Sequence, residues 1–245
     1  MAETALLAVI VAAGFTVEAA IGFGATLVIL SLGSLVMPTD AVLFRVVPLN
    51  ALLSAAVLLR AHRHVDLRAL FLRILPAMLL GFPIGLLALL ELPPRGLKQV
   101  FAAFVLVLAS LELLRMRRPT QHSSRPLSTP ASLALLFVGG VAHGALATGG
   151  PPVVYVCART LPDKARFRAT MTALWLLLNA ALVVVYAVDG RVTATTLRGC
   201  APLVPALGIG LVAGEVLHGR VSERAFRVAV FGLLFVVAIV LGVRA

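Results

Sequence analysis

Val141 to Pro152 reads VAHGALATGGPP, and the reading of this stretch decides the fold. It lies in an apolar background, yet it holds a His, a Thr, three Gly and two adjacent Pro. Proline has no backbone donor, and a Gly-Gly-Pro-Pro run cannot continue a regular helix, so the chain must break here. In lipid, a broken backbone is tolerated only where protein or a water-filled cavity satisfies its freed groups. A break at membrane depth is therefore a candidate binding site. Val17 to Ala25, VEAAIGFGA, is a weaker counterpart in the first half of the chain. Paired interruptions in two halves are a sequence pointer to a transporter's midplane site.

The membrane assignment follows from composition. Of the 245 residues 61% are hydrophobic and 13% charged, and the mean hydropathy is +1.07. A soluble domain of this size has no core large enough to hide that much apolar surface. The formal charge of +11 would suggest nucleic acid in a soluble protein, but the basic residues sit in short loops between apolar blocks and read as topology signals. No nucleic-acid partner is expected. Cys157 and Cys200 lie in apolar segments without a ligand partner at metal spacing, and read as small buried residues. The N-terminus lacks a basic region ahead of its apolar run and reads as the first membrane element.

Outward from the break, the chain divides into two similar halves. Residues 1–116 form a first repeat, 117–130 a polar cytoplasmic linker, and 131–245 a second repeat. In the first, Thr4 to Met37 is too long for one span of about 20 residues and is interrupted at Gly22-Phe23-Gly24. Either two full spans or a re-entrant hairpin fits. Spans follow at Ala41–Leu59, Leu70–Leu90 and Val100–Leu114, with Pro38-Thr39-Asp40 ending the first element and capping the next. In the second half a broken element, Ala131–Ala158, precedes spans at Ala169–Val188, Gly199–Leu217 and Ala225–Val243. Gly85-Leu-Leu-Ala matches Gly210-Leu-Val-Ala, Leu49-Asn50-Ala51 matches Leu178-Asn179-Ala180, Gly24 falls opposite Gly149, and Glu18 opposite His143. The expected fold is an all-α integral membrane protein of two inverted repeats. Each is a broken helical hairpin followed by three membrane helices, about eight in all. Placing the basic loops 60–68, 115–125 and 159–168 inside gives the two halves opposite orientation.

The candidate site is a pair of helix breaks around a small anion. A helix starting after a Gly-rich break offers free backbone N–H groups and a positive dipole end. Thr148, Gly149, Gly150 and Pro151 would supply one side, and Gly22, Phe23 and Gly24 the other. The competing reading gives these glycines to helix packing. Glu18 and His143 are ionisable residues in apolar elements, candidates for proton coupling or, for His143, anion contact. The alternative is a hydrogen-bonded interior residue, or for Glu18 an interfacial one. Asn50 and Asn179 would contact the substrate or bond across helices. Arg45 and Arg168, near span starts, read chiefly as snorkelling residues. Trp175, Tyr155 and Tyr186 read as belt or packing residues, and Arg60, Arg63, Arg68, Arg117 and Arg118 as topology determinants. No metal-ligand cluster, nucleophile–base pair or nucleotide-binding loop is present, so neither an enzyme nor a bound cofactor is expected.

Several stretches carry a family resemblance: GFGATLVILSLGSLVMP, RAHRHVDLRALFLRILPAMLLGFPIGL, GGVAHGALATGGPPVVYVCAR and FRATMTALWLLLNA. Together they resemble the TauE/SafE sulfite exporter family over nearly the whole chain. The most specific element is Ala147-Thr148-Gly149-Gly150-Pro151-Pro152; the first-half element reads GFGA where many relatives carry a longer glycine run. The resemblance implies a duplicated, multi-spanning transporter of the cytoplasmic (inner) membrane that moves sulfite, organosulfonates or similar small anions. The residues alone reach only a small anion and alternating access around the two breaks. The rival readings are a non-transporting membrane partner of a sulfur-metabolising enzyme and an intramembrane enzyme. The first gives no reason for an irregular backbone in lipid, and the second lacks its catalytic groups. A homo-oligomer is left open.

Overall fold

The computed structural model describes residues 2–21, 24–117, 127–161, 163–218 and 222–243. Gly22, Phe23, Arg118 and most of the polar linker lie outside them. Among the described residues every regular element is a helix. In chain order these are α1 (Ala2–Ile21), α2 (Ala25–Gly33), α3 (Thr39–Ala61), α4 (Leu67–Glu91), α5 (Pro94–Arg117), α6 (Thr129–Leu146), α7 (Gly150–Thr160), α8 (Lys164–Val188), α9 and α10 (Glu223–Val243). Helix α4 contains a π-helical stretch at Leu70–Ile74. Helix α9 runs from Ala194–Cys200 through a 3-10 turn at Ala201–Leu203 into Val204–His218. Six of these, α3, α4, α5, α6, α8 and α9, are long and apolar enough to cross a membrane, and Val228–Val243 of α10 is a shorter apolar stretch.

Element boundaries move outward from the expected ones. Helix α9 begins five residues before Gly199, at Ala194, because Thr193 and Thr196 form a reciprocal capping box. At α3 the expected cap does not form. Thr39 is already helical, and its hydroxyl finds no partner among the described residues.

The chain packs as two compact units, and each takes segments from both sequence halves. The first comprises Met1–Val46, Leu92–Gln121 and Thr193–Ala245, and the second Val47–Glu91 and His122–Val192. In the first unit α1 packs on α9 and α2, and α5 on α10. Gly210 of α9 sits so close to the Ala12 carbonyl of α1 that a Cβ there would strike backbone.

In the second unit α4 packs along α6. The two meet through glycines: Gly81 against the Phe137 carbonyl, Gly85 against Val141, Gly140 against Met78, and Gly144 against Phe82. Each helix thus contributes a Gly-x-x-x-Gly pair, which lets backbones approach in lipid. Numbers rise together on both helices, so α4 and α6 run parallel. The Asp66 N–H, just before α4, donates to Thr170 Oγ1 in the first turns of α8 (2.9 Å). The starts of α4, α6 and α8 therefore lie at one end of this unit. These starts follow the three basic segments 60–68, 115–125 and 159–168.

Candidate functional site

The break is built from its backbone upward. Helix α6 ends at Leu146, and Ala147 takes a left-handed conformation (φ 49°), the only non-glycine with positive φ among the described residues. Its N–H closes back on the His143 carbonyl (2.8 Å). Thr148 and Gly149 then lie between helices, and α7 starts at Gly150 with both prolines in its first turn, where a missing N–H costs nothing. The prolines also narrow the expected donor set. Two first-turn positions have no N–H, so the donors at this end are the amides of Thr148, Gly149 and Gly150. Those of Thr148 and Gly149 donate to nothing among the described residues.

Helix α7 folds back along α6. A Cβ on Gly149 would run into the Gly139 carbonyl and stand 3.0 Å from His143 Cβ, and one on Gly139 would meet Val153. Only glycine fits where the break doubles back. With 11 residues, α7 is about 16 Å long, roughly half a hydrocarbon core of about 30 Å. Its far end leads to α8, whose start lies with the starts of α4 and α6.

His143 is the side chain at this break. It is 2% exposed. Its ring stacks on Trp175 of α8 (centroids 5.3 Å apart, 14° between planes) and, more loosely, on Phe82 of α4 (6.4 Å, 28°). The faces are therefore covered and the nitrogen edge carries the chemistry. Asn179, one turn beyond Trp175 and 3% exposed, lies near enough to act on the imidazole. No hydrogen bond of regular geometry joins the two: neither ring nitrogen, nor Asn179 Oδ1, has a partner among the described residues. A buried polar group left unpaired costs on the order of 1–3 kcal/mol. His143, Thr148, Gly149, Gly150 and Pro151 thus belong to one locality, with Asn179 beside it. Asn50 is buried on α3 in the same unit.

The first break differs in kind. Gly24, left-handed at φ 109°, is the N-cap of α2 and offers no side chain. Glu18 does the capping instead: its Oε2 accepts the Ala25 N–H at 3.1 Å. The first free N–H of α2 is therefore already met by a carboxyl oxygen of the chain itself. Gly22 and Phe23, expected to complete this break, lie outside the described residues. The two residues that the sequence register places opposite each other, Glu18 and His143, thus have different roles. One brings its carboxyl group to its helix end, and the other brings none.

Other candidates fall away from the breaks. Arg168 is exposed, and Arg45 turns back to the Ala41 carbonyl of its own helix (2.8 Å). Arg159 stacks over Tyr155 (3.7 Å), and Tyr186 is fully buried. Cys157 and Cys200 are buried free thiols. Trp175 was expected in a belt or in packing, and it proves to be the wall against His143. The spacing Trp175-x-x-x-Asn179, one helical turn, is the signal that joins them.

Neither the curated proteins nor the solved structures searched match this chain. The family model described as sulfite exporter TauE/SafE matches residues 6–241. With six helices of membrane-crossing length and that match over nearly its whole length, the chain is a multi-pass membrane protein and belongs to the TauE/SafE sulfite exporter family.

Proposed function

We propose that the chain is a secondary transporter of small sulfur-containing anions, sulfite or a short organosulfonate, working by alternating access in the cytoplasmic membrane. One observation carries the reading: at the break between α6 and α7 buried His143, with Asn179 near its ring, packs its Cβ against Gly149, where the Thr148 and Gly149 amides donate to nothing among the described residues. Amide and imidazole N–H donors at a positive helix end suit an oxyanion, and no acidic residue of α6 or α7 opposes it. The two broken elements descend from an inverted duplication, with the basic ends of α4, α6 and α8 facing the cytoplasm.

Coupling runs through Glu18 and His143. Protonating Glu18 weakens its hold on the Ala25 amide, and protonating His143 adds a positive charge beside the anion seat. Both steps favour the anion, so proton and anion move together. The test is uptake of radiolabelled sulfite and a small organosulfonate into proteoliposomes, with and without a pH gradient. Saturable uptake is expected, with its gradient dependence lost in Glu18→Gln and His143→Gln variants shown to be folded. Uptake whose pH dependence survives both substitutions removes the coupling role. Absence of uptake from folded protein favours a membrane-embedded partner of a sulfur-metabolising enzyme.

A further inference from the structure

A groove of about 370 Å³ runs along the outer side of the α4–α6 pair. Its walls are apolar, formed by Leu72, Pro76 and Leu80 of α4 and Leu133 and Phe137 of α6. Leu72 and Leu80 are 73% and 72% exposed, so this side faces away from the protein and toward hydrocarbon. One lining residue does not belong in such a wall. Arg73 reaches the groove from the π-helical stretch of α4.

Arg73 donates no hydrogen bond and forms no ion pair among the described residues. It lies near enough to the Cys157 thiol of α7 to act on it electrostatically. Among the described residues no acidic side chain forms an ion pair with Arg73. Helices α6 and α7 contain no acidic residue, and the only one in α4 is Glu91 at the far end. Asp66, ahead of α4, is engaged in capping the Ala69 N–H. An uncompensated arginine in a membrane helix is costly and calls for a partner. Arg73 stands about 9 Å along α4 from Leu67, near the depth of lipid headgroups, and exposed Arg60, Arg63 and Arg68 add to the positive field there.

We propose that this groove is a binding site for an anionic phospholipid, with the phosphate on Arg73 and an acyl chain laid along α4 and α6. From Leu72 to Leu80 the apolar wall extends about 12 Å. A free inorganic anion would need the arginine but has no use for that wall, and a zwitterionic lipid would leave the basic cluster unbalanced.

The test is native mass spectrometry of the full chain titrated with phosphatidylglycerol and with phosphatidylcholine of the same acyl chains. Wild type should bind the first lipid roughly five- to tenfold more tightly at one site. Arg73→Gln should abolish that preference, whereas Arg60→Gln, on an exposed loop residue, should keep it. Ala134→Phe fills the groove and leaves Arg73 in place. It should also lose the lipid, while a free anion such as inorganic phosphate would still bind if the arginine alone were the site. The proposal is overturned if Arg73→Gln keeps the preference, if the two lipids bind equally to wild type, if Ala134→Phe binds lipid as before, or if the chain proves to be a dimer with this groove buried and lipid-free.

Discussion

Replacing Gly149 by alanine tests the break directly. The new Cβ would be driven into the Gly139 carbonyl and stand 3.0 Å from His143 Cβ. The obstacle is helix backbone, which cannot rotate aside, and an ordinary carbon–oxygen contact needs about 3.3 Å or more. The start of α7 must therefore lift off α6 by about an ångström. Two consequences follow. Overpacking of this kind costs about 1–3 kcal/mol of stability. An ångström of displacement also takes a hydrogen bond near 2.9 Å beyond useful length, so the Thr148 and Gly149 amides and the His143 edge can no longer converge on one anion. Loss of one hydrogen bond to a charged group, about 1.5–3 kcal/mol, weakens anion affinity roughly 10- to 100-fold. The assay is sulfite flux over a concentration series in proteoliposomes, with thermal unfolding measured on the same preparations. Gly208→Ala is the control: a Cβ there meets nothing within 4 Å, and helix propensity alone makes the change neutral or slightly stabilising. Wild-type flux and stability in Gly149→Ala would refute the close-packed break and the site built on it.

Three further outcomes are expected. Trp175→Ala removes the closer ring against His143 and should raise the apparent KM for sulfite severalfold, whereas Trp175→Phe should restore most of it; equal behaviour of the two variants would deny the stacking a role. Thr170→Val leaves the Asp66 N–H without its acceptor and should lower stability by about 1 kcal/mol, read as a fall in Tm with flux at moderate temperature unchanged. Cys157 and Cys200, both buried, should resist a membrane-permeant maleimide in the folded protein and react fully after denaturation; rapid labelling of either would contradict its burial.

The glycines of the α4–α6 crossing form a pattern that the sequence itself carries. Gly81, Gly85, Gly140 and Gly144 are small residues at one-turn spacing in apolar runs, a pattern that marks close helix contact whatever the partner. The partner itself is not written there. On α4 the inward residues Ile74, Met78 and Phe82 are as apolar as the outward Leu72, Leu80 and Ile84. In water, polarity separates the two faces of a helix; in lipid both are hydrocarbon, and steric fit alone chooses. The candidate site divides in the same way. His143, Thr148, Gly149 and Gly150 can be picked out because a His and a Gly-Gly-Pro-Pro break are anomalous in an apolar run. Arg73 was passed over because an arginine near a span start resembles a topology signal.

What the sequence determined by itself is what local chemistry dictates. Long apolar runs require a membrane, proline and glycine require a break at Thr148 to Pro152, and unbalanced basic loops fix which ends belong together. Only the tertiary structure decided that α4 lies parallel to α6 across the two halves of the chain, that Glu18 caps α2 while His143 is buried between Phe82 and Trp175, and that Arg73 opens onto an apolar groove. Those facts depend on which surfaces fit at ångström range between segments far apart in the chain, and no local propensity encodes that.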